Sequence, residues 1–146
     1  MTISYHDTVT PAIEEALALL RDCAPILEEF AVWHDGYTDD MFRSETDPYG
    51  RPWADLTSAT WKKKHKGGSI NKKLQWDGTM RASVVSQVSK NSFRHGFADQ
   101  KAVFHDRGTR KMRRRQLLPD AAQGLPKAVE KELGAIALRW IVRTLN

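Results

Sequence analysis

The apolar residues near the start of the chain recur at the spacing of a helix. They fall into two series with steps of three and four residues: Ile13, Leu17, Leu20, Cys23, and then Ile26, Phe30, Trp33. Pro25 separates the two series, and proline disrupts a helix interior but fits a first helical turn. The pattern predicts two helices, roughly Pro11–Arg21 and Pro25–Phe42, with Asp22 as a cap at their junction. One kinked helix is the alternative.

The next segment is rich in residues that favour turns, and it ends in a basic stretch. Residues 44–50 are dense in turn formers, and residues 56–61 predict a short helix capped by Thr57 or Ser58. The stretch Lys62–Lys73 is basic and contains two consecutive glycines, which predicts an exposed, mobile loop.

Apolar alternation and β-branched residues mark residues 74–104 as rich in β-structure. A strand within residues 80–89 and a second one around residues 93–97 flank Lys90-Asn91, a pair suited to the turn of a hairpin. A third short strand or a turn is predicted at Ala102–His105.

The last predicted element is a helix whose first turn contains Pro126. Its apolar positions form one stripe at helical period: Val129, Leu133, Ile136, Ala137, Trp140, Ile141. The order of elements predicts an α+β fold with N-terminal helices, a small antiparallel sheet and a C-terminal helix. A length of 146 residues suits one compact core, so we expect a single domain across residues 1–146.

Composition bears on where the protein is made. No stretch approaches the roughly 20 apolar residues of a membrane-spanning helix, and the first residues lack the basic cluster and apolar core of a signal peptide. The single cysteine, Cys23, has no partner for an internal disulfide, and its place in an apolar series predicts buried packing. These features fit a protein made in a reducing cytoplasm, with no membrane partner.

Charge is distributed unevenly along the chain, although the net charge is only +5. Residues 1–60 carry three basic residues against twelve acidic ones, whereas residues 61–115 carry sixteen basic residues against three acidic ones. Such polarity suggests a charged partner, either nucleic acid or a complementary copy of the same chain. The alternative is that the two segments neutralise each other within one monomer.

Candidate catalytic and metal-binding groups are scattered along the sequence. The histidines lack the i,i+4 spacing of a helical metal pair: His6, His34, His65, His95, His105. The pair His105-Asp106 suggests a metal or acid–base site, but adjacent residues on an extended segment face opposite sides, which favours a structural histidine. The sequence has no nucleophile elbow, P-loop or dinucleotide fingerprint. We therefore expect no enzyme, no metal and no cofactor.

Two basic stretches are candidates for contacts with phosphates. They comprise Lys62, Lys63, Lys64, Lys66, Lys72 and Lys73, and then the loop Gly108–Arg115 with its run Arg110–Arg115. Trp61 and Trp76 are nearby in the sequence as stacking faces for bases. No zinc spacing, recognition helix or RNP-type strand accompanies them, and basic loops also bind acidic neighbours between the subunits of a ring. Both interpretations stay open.

Residues 47–60 carry a more specific signal. They read Asp-Pro-Tyr-Gly-Arg-Pro-Trp-Ala-Asp-Leu-Thr-Ser-Ala-Thr. This segment resembles a signature of the phage virion morphogenesis family, which includes the tail-completion proteins of Mu-like and P2-like phages. Further segments resemble later motifs of that family in the same order: Lys62–Lys73, Leu74–Ser83, Lys101–Thr109, Arg113–Pro119. The resemblance extends from about Ala24 to the C-terminal helix.

Three positions depart from the family pattern. Trp76 replaces the smaller residue that is usual there, and Lys101 stands where an aromatic residue is common. The segment Arg113–Pro119 keeps an arginine and Leu117-Leu118 but lacks the prolines of the family's Pro-Ala-Arg-Pro-Phe loop. If that loop contacts a neighbouring ring or tube, the partner surface has changed as well.

Seven residues of these motifs are predicted to have scaffold roles: Pro48, Gly50, Pro52, Trp53, Gly78, His105, Gly108. The two prolines and the first glycine restrict a turn, and the tryptophan folds back as an apolar anchor. The second glycine allows a tight turn into the hairpin, and the last two residues shape the loop that presents the arginines.

The resemblance implies a structural virion protein that acts in tail completion and head–tail joining, in a neck or tail-terminator ring. It implies a homohexamer, with the tail tube and the head connector as partners, located in the virion after assembly in the host cytoplasm. The predicted interface residues are Lys62, Lys63, Lys64, Arg110, Arg113, Arg114, Arg115. A module that binds the phage DNA through its basic loops is the alternative.

Overall fold

A computed structural model describes residues 9–145 of the chain, apart from the side chains of Val9 and Leu19, so His6 lies outside the described residues. Its helices are α1 (Val9–Arg21), α2 (Ala24–Ser44), α3 (Ser58–Lys66), α4 (Thr79–Ala82), α5 (Lys101–Arg107) and α6 (Lys127–Leu145). Its strands, β1 (Val84–Ser89) and β2 (Ser92–Phe97), pair in antiparallel fashion. This arrangement confirms the predicted α+β class.

The first two helices are separate, as the proline predicts. Pro25 lies in the first turn of α2, where its missing N–H group costs nothing. At the junction, the Ala24 N–H group donates to Asp22 Oδ1 at 3.1 Å, and the Cys23 N–H group donates to the Lys90 carbonyl at 2.8 Å. The junction is thus tied to the hairpin turn, and Cys23 is half-buried rather than fully buried.

The hairpin has the predicted turn and packs on α2. Lys90-Asn91 joins the strands, with Ser89 opposite Ser92 at the turn and Val84 opposite Phe97 at the other end. The first strand lies within the predicted range of residues 80–89, and α4 precedes it at residues 79–82.

Two segments predicted as loop or strand are helical. The first half of the basic stretch, up to Lys66, completes α3, and Thr57 Oγ1 accepts the N–H group of Thr60 at its N-terminus. The segment Ala102–His105 lies within α5, not in a strand. Ala102 is 5% exposed and packs in the core, and this packing decides the backbone conformation of a segment whose local pattern is ambiguous.

Two clusters of buried side chains hold the elements together. One lies between α2 and α6 and contains Ile26, Phe30, Val129 and Ile136. The other surrounds the C-terminal end of α2 and contains Met41, Phe42, Trp53, Met80, Ala102 and Leu117. The second cluster joins α2, the 47–53 turn, α4, α5 and the segment before α6, so it fixes the parts of the chain that carry the family motifs.

Helix α1 differs from the other long helices, because none of its described side chains is buried. It packs against α6. Ile13, Leu17 and Leu20, predicted as its apolar face, are 50%, 47% and 60% exposed. Within residues 9–145, no helix is both long enough and apolar enough to cross a membrane.

Candidate assembly surface and the junction that supports it

The turn at residues 47–53 is organised around one buried carboxylate. Asp47 is 7% exposed, and its Oδ1 accepts the N–H groups of Tyr49 and Arg51 at 2.8 and 2.9 Å. Its Oδ2 accepts Arg51 Nε at 2.7 Å. Gly50 completes the turn at a φ of 80°, a conformation that glycine adopts without strain. The carboxylate therefore accepts three hydrogen bonds from the turn and stabilises its backbone conformation.

The same turn is bound to α2 on one side and to the segment before α6 on the other. Tyr37 of α2 donates its hydroxyl hydrogen to the buried Pro48 carbonyl at 2.6 Å. Trp53 is 3% exposed and donates Nε1–H to the Gln116 carbonyl at 2.8 Å. Its ring packs edge-on against Phe42, with ring centres 5.4 Å apart. Pro52, by contrast, is exposed. The motif is therefore a structural junction, with Trp53 as the predicted apolar anchor.

Several cations of the basic stretches are used inside the protein. Lys64 is 3% exposed and donates Nζ–H to the Gln75 carbonyl at 2.6 Å; burial lowers the pKa of its amine. Arg115 is 5% exposed and donates to the carbonyls of Ala54 and Asp55, both at 2.7 Å. Both residues were predicted at the interface, and the structure instead buries them as partners of backbone carbonyl groups.

The second half of the basic stretch also bonds to carbonyl groups. Lys72 Nζ donates to the Arg43 carbonyl at the end of α2 at 2.6 Å, and Lys73 Nζ donates to the Trp53 carbonyl at 3.1 Å. A lysine beside the last carbonyls of a helix also interacts favourably with the helix dipole. These side chains fasten residues 72–75 to the junction, so the stretch is not the free loop that its composition predicts.

Other cations are exposed at two places. Lys62, Lys63 and Lys66 lie on α3, and Arg110, Lys111 and Arg113 lie in the loop that follows α5. Among residues 9–145 the side chains of these six residues have no ion-pair or hydrogen-bond partner. Arg114 is different, because it donates to the Asp106 carbonyl at 2.7 Å and lies 3.6 Å from Asp120.

The loop that contains Arg110 and Arg113 is attached to α5 by a close backbone approach and by hydrogen bonds. Gly108 has a φ of 74°, and a Cβ atom there would lie 3.0 Å from the backbone nitrogen of Arg114. The Arg115 N–H group donates to the His105 carbonyl at 2.8 Å. Asp106 Oδ1 accepts the N–H groups of Leu117 and Leu118 at 2.8 and 3.0 Å. Glycine at 108 is therefore required by both the backbone conformation and the close approach of the returning chain.

The imidazole of His105 lines a mostly apolar cleft of about 150 Å³ between α3, α5 and residues 74–80. Its Nδ1 is buried and has no partner within the described residues. Burial, and then the charge of Arg115, lower the pKa of His105, so the ring is neutral at neutral pH. Within residues 9–145, no three His, Cys, Asp or Glu side chains come together as metal ligands.

Two further histidines lie at the contact between α2 and the hairpin. His34 and His95 have ring centres 4.3 Å apart, and His95 is bonded through its two ring nitrogens to Thr38 and Ser86. Burial, followed by the charge of His95, lowers the pKa of His34 to about 4. Burial also lowers the pKa of His95, against the opposing effect of Asp35. Both rings are therefore neutral packing groups at neutral pH.

The two charged segments neutralise each other only in part. Among the described residues, two ion pairs join a lysine or arginine of residues 61–115 to an acid of residues 1–60. They are Arg81 with Asp39 at 2.5 Å and Lys73 with Asp55 at 3.9 Å. Exposed acids such as Glu14 and Glu15 are not part of these two ion pairs, and neither are the exposed cations described above.

Two features of these segments were not predicted from the sequence. Val103 and Phe104 of α5 are 50% and 56% exposed, next to a groove of about 140 Å³. The apolar run at 102–104 signals burial, so the sequence does not show that two of its three residues face outwards. Asp47 also escaped prediction as a functional group, although its place before a proline and a glycine is typical of a side chain that organises a turn.

Comparison with known proteins gives one match. No curated protein and no solved structure matches the chain significantly. The phage virion morphogenesis family matches residues 6–137 of the chain. The match covers most of the chain and includes the junction, the hairpin, α5 and most of α6. The chain therefore belongs to the phage virion morphogenesis family and is a virion assembly protein that interacts with other virion components.

Proposed function

We propose that the protein acts in tail completion and head–tail joining, as the subunit of a homohexameric neck or tail-terminator ring. Its partners are further copies of itself, the tail tube and the head connector. It works in the virion neck after assembly in the host cytoplasm, and it acts by assembly rather than by catalysis.

One observation supports this proposal beyond family membership, namely the set of exposed charges that the monomer leaves unpaired. A ring is closed by a heterologous contact, in which two different surfaces of each copy meet. Acids on the N-terminal helices and cations such as Arg110 and Arg113 provide two surfaces of opposite sign on each subunit. Complementary charge between subunits favours one register of docking over others.

The proposal of a structural role also rests on how the motif residues are used. The polar groups of Asp47, Trp53 and Arg115 bond to backbone groups of the same chain. Side chains committed in this way rigidify a scaffold and are not free to bind or transform a substrate.

The direct experiment is to measure the mass of the purified protein by light scattering across a salt series, alone and with tail tubes. We expect the mass of a hexamer, or a monomer that assembles on tail tubes. A triple variant, Arg110→Glu, Lys111→Glu and Arg113→Glu, is expected to lose assembly. Arg114 and Arg115 are left unchanged in this variant, because both bond within the fold. Normal rings and normal joining of tails to heads by the variant would contradict the charge-based contact.

A second candidate function is supported by α3. Lys62, Lys63 and Lys66 are exposed there, and the nearby Trp76 ring is 52% exposed. A basic helix beside an exposed aromatic ring suits contact with nucleic acid. This candidate predicts DNA binding that falls steeply with salt and is lost on changing the three lysines to glutamate. A protein that stays monomeric, ignores tail tubes and binds DNA in this way would favour the second function over the ring.

A further inference from the structure

Helix α1 presents an apolar stripe to solvent. Ile13, Leu17 and Leu20 follow one another at i, i+4 and i+7, so they lie on one face of the helix. Each of these side chains is about half exposed. We call this set the α1 stripe. Three large apolar side chains in a row on one helical face are typical of a helix that docks on a partner.

The fold of the monomer gives α1 little support. None of its described side chains is buried, although the helix is 13 residues long. An isolated helix of this length is marginally stable in water, because its nucleation is unfavourable and its stability comes mainly from tertiary packing. Its contact with α6 leaves the stripe exposed. A partner that covers the stripe would provide the missing burial.

A surface of complementary chemistry lies on α5. Val103 and Phe104 are half exposed, and an apolar groove of about 140 Å³ beside them is lined by residues that include Leu117 and Leu118. We call Val103, Phe104 and this groove the α5 patch. Arg107 lines this groove together with Asp106, and further exposed cations are close to it in the sequence: Lys101, Arg110, Lys111, Arg113.

The charges next to the α1 stripe have the opposite sign. Residues 9–22 contain three acids, Glu14, Glu15 and Asp22, against one arginine, Arg21. Glu14 precedes Leu17 by three residues, which places it beside the stripe on the helix surface. The stripe and the patch are thus both apolar, and the segments that carry them have net charges of opposite sign.

We propose that the α1 stripe of one copy docks on the α5 patch of the next copy. This inference rests on the proposed ring and names the contact that closes it. The apolar side chains provide the burial and the surrounding charges set the orientation. Because the stripe and the patch are different surfaces of the same chain, repeated docking produces a heterologous assembly, which is a ring when its rotation closes.

The test uses one variant on each surface, in the full chain. Leu17→Glu changes the stripe and Phe104→Glu changes the patch, and both side chains are half exposed, so the monomer is expected to fold in each case. We expect each variant to weaken self-association about tenfold or more, measured as the mass of the particle by light scattering over a dilution series. Far-ultraviolet circular dichroism checks that each variant keeps its helix content.

A mixture of the two variants separates this contact from any other. The Leu17→Glu protein keeps an intact patch, and the Phe104→Glu protein keeps an intact stripe, so the mixture retains one native contact per pair. We expect an equimolar mixture to form a dimer of one copy each and nothing larger. A mixture that stays monomeric, when each variant alone is also monomeric and folded, would overturn the proposal.

Matched controls carry the same charge change at other exposed apolar residues. Val32 on α2 is 76% exposed and Leu138 on α6 is 61% exposed, and Val32→Glu and Leu138→Glu are expected to leave the oligomer intact.

If Leu138→Glu dissociates the ring while Leu17→Glu does not, α6 is the interface and the proposal is wrong. If the wild-type protein forms rings and both Leu17→Glu and Phe104→Glu still do so, this contact is wrong although the ring function stands. A wild-type protein that never assembles, even on tail tubes, contradicts the ring function itself.

Cross-linking gives an independent measurement. In a Cys23→Ser background, which removes the single native cysteine, the double variant Leu17→Cys and Phe104→Cys is expected to form a ladder of disulfide-linked oligomers under mild oxidation. Either single cysteine variant is expected to form no ladder, because heterologous docking brings each cysteine to a different residue of its neighbour. A double variant that assembles without any linked species would overturn the contact.

Discussion

Helices α1 and α2 are neighbours in the sequence and carry the same kind of apolar repeat, but the fold treats them differently. In α2 the repeat is buried: Ile26, Phe30 and Phe42 are 6%, 4% and 0% exposed. In α1 the equivalent positions, such as Leu17, stay about half exposed. Both helices form from periodic apolar residues and both contact α6, but only α2 also packs against the hairpin and buries its apolar side chains within the monomer.

The difference shows that a periodic pattern specifies a helix and an apolar face, but not the molecule that covers the face. The same holds for cations. Lys63 and Lys64 are adjacent in α3, and one is exposed while the other is buried against a carbonyl group. The uncovered apolar face and the exposed cations are the surfaces that the proposed ring contact would use.

The largest expected difference between the two helices is the cost of truncating one apolar side chain in each. Phe42→Ala removes a fully buried ring from α2 and is expected to lower the free energy of unfolding by about 3–5 kcal/mol. Leu17→Ala in α1 is expected to cost the monomer less than about 1 kcal/mol, since its side chain is already half exposed. Urea unfolding under monomeric conditions measures both. Equal losses would show that α1 is as firmly packed as α2.

A second pair of variants compares a buried lysine of α3 with an exposed one. Lys64→Met leaves the buried Gln75 carbonyl without its donor and is expected to lower the free energy of unfolding by about 1–3 kcal/mol. Lys63→Met, one residue earlier, removes an exposed cation and is expected to change it by less than about 0.5 kcal/mol. Thermal unfolding of the two variants compares them. A Lys64→Met protein as stable as Lys63→Met would mean that the carbonyl group finds another donor.

The buried face of α2 is expected to make stability depend on pH. Burial and His95 lower the pKa of His34 to about 4, whereas an exposed histidine in the unfolded chain titrates near 6.5. The unfolded state therefore binds the proton first, and the free energy of unfolding falls as the pH drops from about 6.5 towards 4. The slope is at most about 1.4 kcal/mol per pH unit for this residue.

His34→Phe removes this titration, and we expect a shallower dependence of the unfolding midpoint on pH. The remaining slope reports groups such as His95, whose pKa is also lowered by burial. Melting curves at several pH values between 7 and 4.5 give the comparison. Parallel curves for the variant and the wild type would show that His34 does not titrate on unfolding.

The smallest expected effects come from the exposed sides of the two helices. Gly36 lies inside α2, and a Cβ atom there meets nothing within 4 Å. Gly36→Ala is therefore expected to raise the free energy of unfolding by about 0.5–1 kcal/mol. Ala18→Gly, at an exposed position of α1, is expected to leave the main unfolding transition of the monomer unchanged, because α1 can fray on its own. If Ala18→Gly lowered the free energy of unfolding by as much as Gly36→Ala raises it, α1 would unfold together with α2.

The sequence predicted the elements with the strongest local signals. Pro25 separates two helices, Lys90-Asn91 turns the hairpin, and Trp53 anchors the junction, because each depends on backbone chemistry or on a large apolar side chain. Sequence reasoning failed where local preference was ambiguous. Residues 62–66 and 102–105 are helical, with Lys64 bonded to the Gln75 carbonyl eleven residues later and Ala102 packed in the core cluster around the end of α2.

For the proposed assembly surface, the sequence shows which residues are basic but not which of them stay exposed. Lys62, Lys63, Arg110 and Arg113 are exposed, as a docking surface requires, while Lys64 and Arg115 are internal donors. Nothing in a run of basic residues says which side chain will meet a buried carbonyl group. The carbonyl groups of Gln75 and Ala54 become neighbours of these cations only after the chain has folded.

By itself, the sequence determined the α+β order of elements, the family and the opposite charge of the two segments, because periodicity, turn chemistry and charge are local properties. The tertiary structure alone decided which apolar face stays uncovered and which cations stay free, because burial depends on contacts between residues far apart in the chain. Leu17 and Phe42 illustrate the outcome: both belong to helical repeats, and only the packing of the whole chain distinguishes them.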